Sequence, residues 1–87
     1  MTDSKALTFP CDFPLKIMGR AAPDFDSLVV EIVLRHVGSV REGAISVRES
    51  RGGNYVSVTV TVQAESQDQL DALYRELSGH EQILMVL

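Results

Sequence analysis

Three side chains in this 87-residue sequence have the reactivity for acid-base or nucleophilic work near neutral pH: Cys11, His36 and His80. Acyl-transfer or hydrolytic chemistry would need the thiol, or a serine, within hydrogen-bond reach of an imidazole that an acid orients in turn. Cys11 falls in a proline-flanked loop between Pro10 and Pro14, His36 near the end of a helical pattern, and His80 just after a second one. Nothing in the spacing brings the three together. Histidines at helix C-termini meet the negative end of the helix dipole, which explains both without catalysis. A single cysteine forms no internal disulfide, and no Cys/His cluster has zinc-site spacing. The chain therefore reads as a non-enzyme with no cofactor and no metal.

The residues suited to recognition rather than reaction are Lys16, Gly19, Arg20, Arg48 and Tyr55. Their placement follows from the elements around them. Residues 13–20 alternate Phe13, Leu15, Ile17 and Gly19 with Pro14, Lys16, Met18 and Arg20, a half-buried strand β1. Pro23 and Asp24 suit the first turn of a helix α1, which runs to about Val37 and is ended by Gly38. Phe25, Leu28, Val29, Ile32 and Val33 form its apolar face, and Val30, Leu34 and Val37 widen the stripe, which predicts a helix lying deep against a sheet.

Residues 43–50 alternate again as strand β2, with Arg48 and Glu49 suited to guarding a sheet edge. A turn at Gly52, Gly53 and Asn54 joins it to the most regular stretch of the chain, strand β3. There Val56, Val58, Val60 and Val62 point one way, and Tyr55, Ser57, Thr59, Thr61 and Gln63 the other. Ser66 and Gln69 form a capping box for helix α2, whose stripe is Leu70, Leu73, Tyr74 and Leu77 and which stops at Gly79. The wholly apolar run 83–87 reads as a strand β4, buried in the sheet or against a partner. The order is that of an α+β ferredoxin-like βαββαβ sandwich: a four-stranded antiparallel sheet with two helices on one face. Right-handed crossovers put β1 and β3 in the centre, with β2 and β4 at the edges.

Composition narrows the function classes. With 45% apolar and 23% charged residues, the chain can build one core, and residues 9–87 form a single domain after a mobile tail at 1–8. A net charge of −4 opposes indiscriminate attachment to nucleic acid or anionic lipid. No apolar run has the length of a signal peptide or a membrane helix, so a cytoplasmic protein is expected.

Three runs carry a family likeness: FPLKIMG at 13–19, GNYVSVTVTV at 53–62, and LYRELSG at 73–79 followed by LMVL at 84–87. Together they resemble the YbeD-like family of small bacterial proteins, from Phe9 to the C-terminus. The resemblance implies a stand-alone cytoplasmic protein with a fold similar to the ACT regulatory domains of amino-acid enzymes. It implies no activity and supplies no catalytic residues. ACT domains commonly hold an effector near the β1/α1 turn, where a glycine admits the ligand. Here Phe25 stands at that place.

Three binding classes follow. A protein partner could cover the open sheet face around Met18, Tyr55 and β4, or pair with an edge strand, which leaves a homodimer open. A small-molecule effector could contact Gly19 and Arg20 at the β1/α1 turn. RNA binding through the same open face is the alternative, since RRM modules share this element order. It is disfavoured because the outward positions after Tyr55 are Ser57, Thr59 and Thr61, and those of β1 are Lys16, Met18 and Arg20. One tyrosine is a poor stacking platform. The expected function is a non-catalytic regulatory or binding module.

Overall fold

The computed structural model describes residues 8–87. The expected tail at 1–8 thus lies, apart from Thr8, outside the described residues. The elements are β1 (Cys11–Arg20), α1 (Phe25–Val37), β2 (Ile45–Glu49), β3 (Tyr55–Ala64), α2 (Gln67–Ser78) and β4 (Ile83–Val86). The sheet has the order β2-β3-β1-β4 and is antiparallel throughout, with the two longest strands at its centre. The alternation in those strands becomes one packed face. Leu15 and Ile17 of β1 and the valine row of β3 meet Phe25, Val29, Ile32 and Val33 of α1 and Leu70, Leu73 and Leu77 of α2, all buried. Each such side chain stabilises the fold by about 1.5–3 kcal/mol before entropy is counted.

Local signals set the ends of the elements. Ser66 Oγ accepts the Gln69 N–H at 3.1 Å, which caps α2. The Gln69 side chain does not complete the reciprocal box: its Oε1 accepts from Glu65 N–H, and its Nε2 donates to the His36 carbonyl at 2.9 Å, tying α2 to the end of α1. Of the two glycines in the β2/β3 turn, Gly53 takes a positive φ, 75°, and Gly52 does not. The Gly53 N–H donates to Ser50 O, and Ser50 Oγ accepts from Tyr55 N–H.

Three expectations need correction. β1 begins at Cys11, opposite Ala64, so the thiol sits in a strand and packs against the core rather than in a loop. Only part of the α1 stripe is covered: Leu34 remains 39% exposed, and every residue of β2 is exposed. The helix sits over β3, so its outer flank finds no sheet beneath it. The apolar run at the C-terminus is likewise not interior. Ile83 alone is buried, whereas Leu84, Met85 and Leu87 are 54%, 49% and 60% exposed. β4 has a neighbour on one side only, and a register shift between Met18 and Gly19 leaves Leu84 as the extra residue of a bulge.

Candidate functional site

Strand register turns four of the five candidate residues into a cluster. Side chains directly opposite one another on one face are about 4.5–5.5 Å apart at Cβ. Arg20 is opposite Tyr55, Met18 opposite Ser57, and Lys16 opposite Thr59. Arg48 flanks Ser57 from the other side, and Met85 flanks Met18. Leu87 exchanges both backbone hydrogen bonds with Lys16, at 2.8 and 3.1 Å, and so extends the same face. The Ala21 N–H donates to Asn54 O at 2.9 Å, which pins the end of β1 to the hairpin turn and holds Arg20 beside Tyr55. Ser57 is buried on this helix-free face, at 9% exposure, because these long neighbours cover it.

The result is a surface with three cations, Lys16, Arg20 and Arg48, on a chain whose net charge is −4. The apolar groups among them are Met18, Met85, Leu87 and the Tyr55 ring. The recess lined by Met18, Arg48, Tyr55 and Ser57 measures about 90 Å³. That is below the roughly 300 Å³ at which small-molecule sites begin. The face is a plateau.

Gly19 does not belong to the plateau. It points to the helix side, where an added β-carbon would lie 2.5 Å from the Gln82 carbonyl oxygen and 2.6 Å from Phe25 Cζ. The absence of a side chain there permits close packing and is not required by turn geometry. Phe25, buried under the β1/α1 turn, fills the space that a glycine would leave open. Clefts remain on either side of the turn. One, of about 330 Å³, is lined by Arg20, Ala21, Ala22, Glu81, Gln82 and Leu84. The other, of about 210 Å³, runs from Pro23 and Asp26 to Val47 and Glu49.

Two features were not anticipated. One is a groove of about 650 Å³ between α1 and β2, floored by Val30, Leu34 and Ile45 and rimmed by Asp26, Glu31 and Arg35. Its signal in the sequence was the α1 stripe itself, too wide for one sheet contact. The other is a polar cluster between the helices. Glu76 Oε1 is 2.6 Å from His36 Nε2, and Glu76 Oε2 accepts from Arg35. Hydrogen bonding to His36, with the charges of Arg35, His36 and His80 assisting against burial, holds the Glu76 carboxyl below its ordinary value of 4.5. A carboxylate depressed in the folded state stabilises fully above the unfolded pKa and loses that contribution as pH falls through the folded one. Glu76→Gln should therefore flatten the acid limb of stability against pH below about 4.5 in urea unfolding. An unchanged acid slope would contradict the assignment.

His80 Nδ1 accepts from Gln82 N–H, and Cys11 sits half-buried at the start of β1. Among the described residues, no three His, Cys, Asp or Glu side chains are grouped to hold a metal ion, and no helix is long and apolar enough to cross a membrane.

A four-stranded open sheet with both helices on one side and a cationic plateau on the other defines a small ferredoxin-like α+β protein. Comparison of the chain with known proteins agrees. It belongs to the family described as "Protein of unknown function (DUF493)", whose model matches residues 4–87. A UPF0250 protein of Paraburkholderia phymatum is 44% identical over 81 residues, covering 93% of this chain and 91% of the relative. UPF0250 protein NE1487 of Nitrosomonas europaea is 41% identical over the full length of both chains. The YbeD-like resemblance is this same family of small bacterial proteins. The solution structure of protein HP0495 from H. pylori superposes with a TM-score of 0.71 at 13% identity, covering 98% of this chain and 91% of that one, which shows the shared fold.

Proposed function

We propose that this protein is a non-catalytic binding module of the bacterial cytoplasm, whose helix-free sheet face docks an acidic, partly apolar surface of a partner protein. The observation that carries the reading is the register that gathers Arg20, Arg48, Tyr55, Met18 and Met85 on one plateau. Tyr, Arg and Met are the side chains enriched in protein interfaces, and a plateau without a ligand-sized recess suits a macromolecule. Charge segregation against a net charge of −4 favours an acidic partner and a salt-dependent association rate.

The test is affinity capture from the native host with wild type and an Arg20→Glu/Arg48→Glu variant, each with and without nuclease. A specific protein retained by wild type and lost by the variant is expected, with nuclease making no difference. Nuclease-sensitive capture would establish the RNA alternative instead, and equal capture by both proteins would remove the plateau from the function. One observation favours a second reading, a small metabolite: the cleft beside the β1/α1 turn carries opposite charges, Arg20 and Glu81, about a space of some 330 Å³. Chemical-shift mapping with a metabolite pool would support it if Ala21, Ala22 and Gln82 moved while Ser57 and Thr59 did not.

A further inference from the structure

The groove between α1 and β2 lies on the opposite side of the sheet from the plateau, and its outer wall is an edge strand, paired with β3 on one side and with no strand on the other among the described residues. We infer that a second copy of this chain covers it, by antiparallel pairing of the two β2 edges with the two α1 helices side by side.

The free hydrogen-bonding groups come from register. Thr61 N–H donates to Ala44 O, and Ser50 N–H to Tyr55 O, so the even-numbered residues of β2 turn their backbone groups toward β3. Ladder alternation then directs the N–H and C=O of Ile45, Val47 and Glu49 outward. The same residues put their side chains on the helix side, where Ile45 and Val47 are 37% and 49% exposed beside Leu34 at 39%. An edge that is both unpaired and apolar is a pairing template.

Two two-fold registers pair both Ile45 and Val47 with residues of the other β2. Centred on Val47, the axis would set Glu49 against the other copy's Ile45, a charge in the apolar seam. Centred on Ser46, it sets Ile45 against Val47 twice, makes four backbone hydrogen bonds, and leaves Arg48 opposite Ala44 at the margins. Only the second register buries like with like. It also fits the helices. Ile45 borders the groove with Val30 and Leu34, and Val47 borders the cleft with Asp26, so the point between them lies beside the middle of α1. Two α1 helices related by that axis run antiparallel, with Asp26 at one end facing Arg35 at the other, on both sides, and with the two Glu31 side chains near the axis, where the solvated outer rim keeps their charges apart. Arg35 also serves Glu76, but a guanidinium has five donors. The outcome would be an eight-stranded sheet whose two plateaus form one continuous surface. This inference uses a surface separate from the plateau, so either can fail alone.

Sedimentation equilibrium tests it. A mass of twice 9.6 kDa is expected, with a micromolar dissociation constant for so small a contact. Val47→Lys and, separately, Leu34→Glu should weaken the dimer by roughly 30-fold or more while leaving circular dichroism unchanged, because both side chains are already exposed in the monomer. In a Cys11→Ser background, Ser46→Cys should give a disulfide-linked dimer on mild oxidation, since directly opposed non-hydrogen-bonded residues bring Cα atoms to about 4.5 Å. A monomer at every concentration would overturn the inference, even if the groove captured another protein. A dimer that survives both substitutions would overturn it as well.

Discussion

Gly19→Ala is expected to cost about 3 kcal/mol or more in urea unfolding, although it adds only a methyl group. The new β-carbon would meet the Gln82 carbonyl oxygen at 2.5 Å and the Phe25 ring at 2.6 Å, both well inside van der Waals contact. Neither neighbour can yield easily. Gln82 O belongs to the backbone entering β4, and Phe25 is 1% exposed at the start of α1. A domain of this size has a total stability of roughly 4–13 kcal/mol, so the variant should melt well over 10 °C lower. A loss below about 1 kcal/mol would show that β1 and the β4 entry can separate freely, and the packing account of Gly19 would fall.

Phe25→Ala is expected to cost a similar amount, about 3–5 kcal/mol, for the opposite reason. Here a cavity replaces the largest fully buried side chain, under the β1/α1 turn. The two substitutions share a contact and should not add. Removing the ring relieves one of the two clashes at position 19, so the double variant should be more stable than the sum of the singles by about 1 kcal/mol or more. Leu34→Ala is the control: it removes an apolar side chain from the same helix, but from its 39% exposed flank. Measured well below the dissociation constant of the inferred dimer, where the flank is uncovered, its expected cost is about 0.5–1 kcal/mol. A large loss at that dilution would mean that Leu34 is packed within the single chain, contrary to its exposure.

These paired effects show where the sequence is a good guide and where it is not. The valine row of β3 and the alternation of β1 predict buried positions correctly, because side-chain direction along a strand is a local property of two residues. The same rule placed Arg20, Arg48, Lys16 and Tyr55 on the helix-free face, and the register then made neighbours of them. Gly19 shares that strand but not that face. Its phase in the alternation already assigned it to the helix side, and only the path of Phe25 and Gln82 in space shows why no β-carbon is tolerated there.

By itself, then, the sequence determined the order of elements, the faces of the strands, the cap at Ser66 and the central position of β1 and β3. Each depends on propensity or periodicity over a few residues, or on the handedness of a crossover. The tertiary structure alone decided how far α1 reaches over β2, that Leu84, Met85 and Leu87 stand exposed, and that Glu76 meets Arg35 and His36. An apolar pattern specifies which way a side chain points but not whether another element arrives to cover it. That depends on strand order and helix position summed over the whole chain, and at the β2 edge it leaves an apolar groove open beside α1.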